Sequence, residues 1–133
     1  MITLYVSSSN SSSRKAREWL EEHDLQFEVR NMIREPLTRD EIKQLFSLSE
    51  NGSEDLVSTR AKKYQEIKSR INDLTFSELV NILVKHQELI KRPIIKNDYM
   101  MQVGFSEEDI RAFLPRSVRK RNLELLTQKM LTV

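Results

Sequence analysis

The chain opens on Thr3-Leu4-Tyr5-Val6, a short β-prone run, and passes at once into Ser7-Ser8-Ser9-Asn10-Ser11-Ser12-Ser13. Hydroxyl and amide side chains bond nearby backbone groups and favour turns and helix caps, so the strand should stop at the serines. Ala16, Trp19 and Leu20 then recur at helical spacing, while Arg14, Lys15, Glu18, Glu21 and Glu22 fall largely off that stripe. An amphipathic helix follows. Leu25-Gln26-Phe27-Glu28-Val29-Arg30 alternates apolar with polar, the period of a strand with one covered face. Strand, helix and strand in this order predict a βαβ start.

Two reciprocal capping pairs, Thr38 with Glu41 and Thr75 with Glu78, bracket a helical middle section, because hydroxyl and carboxylate each satisfy an orphan backbone N–H. Within it Val57, Ala61, Tyr64, Ile67 and Ile71 follow helical spacing, leaving Lys62, Lys63, Glu66 and Arg70 mainly outside. Asn51-Gly52-Ser53 precedes that stripe and reads as a helix end followed by a tight turn, since Gly52 tolerates positive φ. Pro93-Ile94-Ile95 and Met100-Met101-Gln102-Val103 predict two short strands joined at Asn97-Asp98. Ser106 with Asp109 offers a further helix start, which Pro115 ends. The fold class is α/β, a mixed sheet built from the terminal portions, 1–32 and 87–133, with 33–86 as a helical insertion lobe.

Length and composition narrow the chemistry. At 133 residues the chain can bury a sizeable core. No apolar run approaches the roughly 20 residues that span a bilayer, and the N-terminal apolar run lacks a basic start, so a cytoplasmic protein is expected. There is no Cys among the 133 residues, which removes disulfides, thiolate metal sites and thiol nucleophiles. The net charge of +2 does not announce a nucleic-acid binder. The charge is nevertheless clustered: Arg60, Lys62, Lys63, Lys68 and Arg70 form one group, and Arg116, Arg119, Lys120 and Arg121 another. Both could be solvated faces.

Several strings occur in the order and spacing of the Spx branch of the ArsC-like family: Ile2-Thr3-Leu4-Tyr5, Ser12-Ser13-Arg14-Lys15-Ala16-Arg17, Glu50-Asn51-Gly52, Ser58-Thr59-Arg60, Lys91-Arg92-Pro93-Ile94-Ile95, Gln102-Val103-Gly104 and Ile110-Arg111-Ala112-Phe113-Leu114-Pro115-Arg116. The chain resembles that family over almost its whole length. The resemblance implies a thioredoxin-like sheet with an inserted helical lobe and a cis bond at Arg92–Pro93; residue by residue, Pro93 could equally be a plain strand-entry residue. It also implies docking on the C-terminal domain of the RNA polymerase α subunit, with Gly52 at the contact, flanked by Glu50, Asn51 and Ser53. Read alone, Gly52 is equally a turn glycine. Arg60, Lys62 and Lys63 match a basic segment placed near promoter DNA within the polymerase complex, where phosphate contacts would orient without reading bases.

The departures matter as much. Where the family carries a Cys-x-x-Cys switch, this chain has Asn10 and Ser13, so direct thiol sensing is chemically impossible. The two side chains could instead cap the first helix. Ser8 replaces a frequent proline, and Ser47 stands where a basic residue is common, which removes one charge contact with the polymerase. The basic segment Arg116 to Lys129 reads as a solvated helix face. Relatives use their C-termini for recognition by proteolytic machinery, and Met130-Leu131-Thr132-Val133 is not a close match to that tail.

An arsenate-reductase-like function is the alternative that the fold suggests. Backbone N–H groups before the first helix, with Arg14 and Arg92 nearby in the family geometry, suit a degenerate oxyanion pocket. Reduction, however, needs a thiolate. Ser13 would need a base, and His23 lies about 15 Å further along the helix. His86 is in another segment, and no ligand spacing suggests a metal or other cofactor. The expectation is a non-catalytic Spx-type regulator that alters promoter use, or alternatively a redox-blind competitor of its paralogues.

Overall fold

The computed structural model describes residues 1–7 and 11–115. Asn10, the segment Arg116 to Lys129 and the terminal Met130-Leu131-Thr132-Val133 lie outside the described residues. β1 (Ile2–Val6), α1 (Ser11–Glu22) and β2 (Phe27–Asn31) form the expected βαβ unit, with β1 and β2 parallel from Ile2↔Phe27 to Val6↔Asn31. β3 (Ile94–Lys96) runs antiparallel to β1, and β4 (Met101–Val103) antiparallel to β3. The sheet order is β2-β1-β3-β4, so the terminal portions do share one sheet.

The period of two along β1 divides the interior. Ile2 and Leu4 join Ala16, Trp19 and Leu20 of α1 and Ile95, Ile110, Phe113 and Leu114 in one cluster. Tyr5 and Ile94 instead join the apolar residues of segment 33–86. Each fully buried Leu or Ile contributes roughly 1.5–3 kcal/mol, whereas an exposed pair such as Arg17–Glu21 contributes about 0.3–0.5 kcal/mol. Packing therefore decides this architecture.

Segment 33–86 carries α2 (Arg39–Leu48), α3 (Ser53–Leu56), α4 (Lys62–Ile67) and α5 (Phe76–Lys85), with a 3₁₀ turn at Ile71–Asp73. Both capping boxes form: Thr38 Oγ1 accepts the Glu41 N–H and Thr75 Oγ1 the Glu78 N–H, and each Glu reaches back to its cap. Phe46 of α2 meets Phe76 of α5 edge to face, 5.3 Å between centroids.

Four expectations need correction. The stripe Val57 to Ile71 is not one helix: Val57 is extended and bridges Ile90, and the helix resumes only at Lys62. Backbone pairing with a distant segment overrides the local period there. Gly52 does not end α2, which stops at Leu48 with Ser49 as its cap; Gly52 opens α3. The helix after Ser106 is a 3₁₀ turn, Asp109–Phe113, although Ser106 Oγ does accept the Asp109 N–H. β2 sits at the sheet edge, so Glu28 and Val29 are both exposed and the alternation hides only part of its face.

The β3–β4 turn follows the sequence reading. Asn97 Oδ1 accepts the N–H groups of Tyr99 and Met100 and closes the hairpin. The Arg92–Pro93 bond is cis.

Candidate partner interface and the adjoining cleft

Between α2 and α3 the chain makes a short exposed turn, Glu50 to Ser53. Gly52 adopts φ 61° and ψ −122°, a region that strains any L side chain. Nothing lies within 4 Å of where a Cβ would project. The glycine is therefore required by the backbone and not by crowding inside the molecule, and the outer side of the turn is open.

Asp55, the third residue of α3, holds this turn. Its Oδ2 accepts the N–H groups of Glu50 at 3.0 Å and Asn51 at 2.9 Å, while its own N–H donates to Gly52 O at 3.1 Å. The Asn51 N–H, its side-chain amide, the Glu50 N–H and the charge of Lys91 together keep the carboxyl below the ordinary aspartate range, against a smaller opposing effect of desolvation.

The other end of α3 is tied to the chain returning to the sheet. Lys91 N–H donates to Leu56 O at 2.8 Å, Ser58 N–H to Leu89 O at 2.6 Å, and Lys91 Nζ to Glu54 O at 2.9 Å. Arg92 follows directly. Its guanidinium donates to Ile90 O at 3.2 Å and Gln87 O at 2.9 Å and forms no ion pair with a described residue. Desolvation lowers its pKa, and the Glu88 charge only partly offsets this.

Arg92 lines a cleft of about 1130 Å³ that runs from Glu50 and Asp55 past Arg60 and Lys91 to the edge strand β4. Arg60 and Arg92 thus both line this cleft. Arg14 is exposed on α1 and is not part of the cleft wall. Ser13 is buried in α1. His23 sits just beyond that helix, stacked on Trp19 with its Nδ1 2.8 Å from Trp19 O, and His86 pairs with Glu88 at 3.5 Å. Neither histidine lines the cleft.

Arg60 and Lys62 are exposed, and neither forms an ion pair with a described residue; Lys63 is engaged with Glu66 at 2.8 Å. Glu50 and Asn51 are exposed, Gly52 and Ser53 partly so, and Ser47 is exposed with its hydroxyl donating to Gln44 O. The sequence reading missed Asp55 and Lys91. An acid three residues after a turn glycine was the available signal for the first. The second bonds across 37 residues and had no local signature.

Residues 5–113 match the model of the ArsC family. The global transcriptional regulator Spx of Streptococcus mutans serotype c is 46% identical over 127 residues, covering 96% of this chain and 93% of the relative. The chain belongs to the ArsC family, in its Spx branch. Regulators of the same description from Streptococcus agalactiae serotype V and Streptococcus pyogenes serotype M1 are 45% and 44% identical, covering 96% and 97% of this chain and 93% and 96% of the relatives. Among solved structures, arsenate reductase from Vibrio cholerae superposes with a TM-score of 0.76 at 22% identity, covering 85% of this chain and 97% of that one. An ArsC-family related protein of Bacteroides fragilis gives 0.74 at 24%, covering 84% and 95%. These two matches establish the shared thioredoxin-like fold. No helix among the described residues is long and apolar enough to cross a membrane.

Proposed function

We propose that this chain is a non-catalytic transcription regulator that docks on the C-terminal domain of the RNA polymerase α subunit through Glu50, Asn51, Gly52 and Ser53. The observation that carries this reading is the 44–46% identity, over nearly the whole chain, to proteins described as global transcriptional regulators. The turn suits the role: it is exposed, its shape is set by its own hydrogen bonds, and a partner can approach Gly52 without meeting a Cβ. Arg60 and Lys62, free of ion pairs with described residues, offer phosphate contacts once the complex is on promoter DNA. The lobe 33–86 presents both features. With neither Cys of the family switch in this sequence, docking cannot be gated by a disulfide of this polypeptide.

The test is a titration of the isolated α C-terminal domain with the purified protein at two salt concentrations. Gly52→Arg combines backbone strain with bulk, so Asn51→Arg is the cleaner probe: it adds the same side chain where φ is ordinary. Saturable wild-type binding that Asn51→Arg abolishes supports the interface. A folded wild type that binds at neither salt concentration overturns it. Transcription from several promoters, with and without a redox-active paralogue, then separates an activator from a competitor.

A further inference from the structure

The local organisation around the proposed contact turn centres on a residue outside the turn, in α3. We infer that Asp55 is the positioning residue of the polymerase contact, its carboxylate fixing Glu50 and Asn51, and so the turn through Gly52, in the shape that the partner meets. The inference rests on the proposed function above. Asp55 Oδ2 takes two backbone donors of the turn, at 3.0 Å and 2.9 Å, and a carboxylate accepting two N–H groups is a stronger restraint than a neutral acceptor. α3 has only four residues and its cap, Gly52, has no side chain. The turn therefore has no capping side chain of its own, and Asp55 acts backward from inside the helix.

Lys91 completes the arrangement. Its ammonium donates to Glu54 O at 2.9 Å and its charge acts on Asp55, while its backbone N–H holds Leu56 O. Turn, short helix and the strand entry at Lys91 are thus joined through one residue on each side. The groups facing the Asp55 carboxylate are the Glu50 and Asn51 N–H donors, the Asn51 side-chain amide and Lys91. A glycine turn left to itself samples many conformations, and apparent affinity falls in proportion to the fraction in the binding shape. Releasing the two N–H groups should weaken polymerase docking by roughly tenfold.

The experiment compares wild type, Asp55→Asn, Asp55→Ala and Lys91→Met, each read in two ways. The first is the amide spectrum: in wild type the Glu50 and Asn51 N–H signals should titrate together with the Asp55 carboxyl, and this response should vanish in both Asp55 variants while core amides such as those of Leu45 and Leu83 keep their shifts. Simple loss of stability does not move the two signals in this way. The second is affinity for the α C-terminal domain, where both Asp55 variants should bind about tenfold more weakly and Lys91→Met should fall between them and wild type. Titrating amides with unchanged affinity in Asp55→Asn overturn the positioning role while leaving the docking site in place. Amides that do not titrate with Asp55 overturn it at the level of structure. A wild type that fails to bind at all removes the docking reading, and the role of Asp55 in it, and is recognised from the wild-type arm alone.

Discussion

Arg30 of β2 and Glu41 of α2 form a bidentate pair, Nη1 to Oε2 at 2.7 Å and Nη2 to Oε1 at 3.0 Å, that fastens the first helix of the inserted segment to the edge strand of the sheet. The same Glu41 is the acid of the capping box, its Oε1 accepting the Thr38 N–H at 2.9 Å. One carboxylate thus starts α2 and anchors it. Arg30 also donates to the carbonyls of Glu35 and Pro36, so the chain leaving the sheet is gathered around one guanidinium.

Glu41→Gln should destabilise the protein by about 1–2 kcal/mol, the sum of a weakened cap and a weakened, partly exposed ion pair. Burial alone would raise the Glu41 carboxyl, but the bonds from Arg30 and Thr38 and the Arg30 charge outweigh it and place it below the ordinary value. A depressed carboxyl contributes stability above its unfolded pKa of about 4.3 and loses it as pH falls toward the folded value. Denaturant midpoints at pH 7 and pH 3 should therefore differ more in wild type than in Glu41→Gln. Equal pH dependence in the two proteins contradicts this role.

Gly52→Ala should cost roughly 1–3 kcal/mol through the backbone alone, because φ 61° with ψ −122° strains an L residue although no atom lies within 4 Å of its Cβ. Gly104, at φ 81° and equally uncrowded, should behave alike. Thermal unfolding of the two variants checks this, and an unchanged midpoint for Gly52→Ala would mean that the turn relaxes without penalty.

Gln87 closes the inserted segment at its other end. Its Oε1 accepts the Leu37 N–H and its Nε2 donates to Leu37 O, both at 2.9 Å, a two-sided pairing across 50 residues. Gln87→Ala should cost roughly 1–3 kcal/mol by leaving a partly buried N–H and C=O unpaired. Gln87→Glu keeps the acceptor but sets an anion against the Leu37 carbonyl, and only its protonated form can donate, so its penalty should shrink on acidification. A Glu variant as stable as wild type at pH 7 would falsify the pairing.

The elements that local chemistry dictates were legible in the sequence. The stripe Ala16, Trp19, Leu20 is buried, both Thr–Glu boxes close, and the hairpin turns on Asn97. What the sequence hid depends on partners far along the chain. Val57 leaves its helical stripe to bridge Ile90, Gln87 finds Leu37, and Arg92 and Arg60 line one cleft that no spacing announces. For the candidate site, the exposed turn around Gly52 was readable from one glycine between polar neighbours. Its support by Asp55 and Lys91 depends on the fold, which carries Lys91 to Glu54 across 37 residues.

The most direct test of the docking account is the amide spectrum of the labelled protein during titration with the α C-terminal domain. Shifts concentrated on Glu50, Asn51, Gly52 and Ser53 are the predicted result. Shifts confined to α1, or a spectrum that does not change, contradict it.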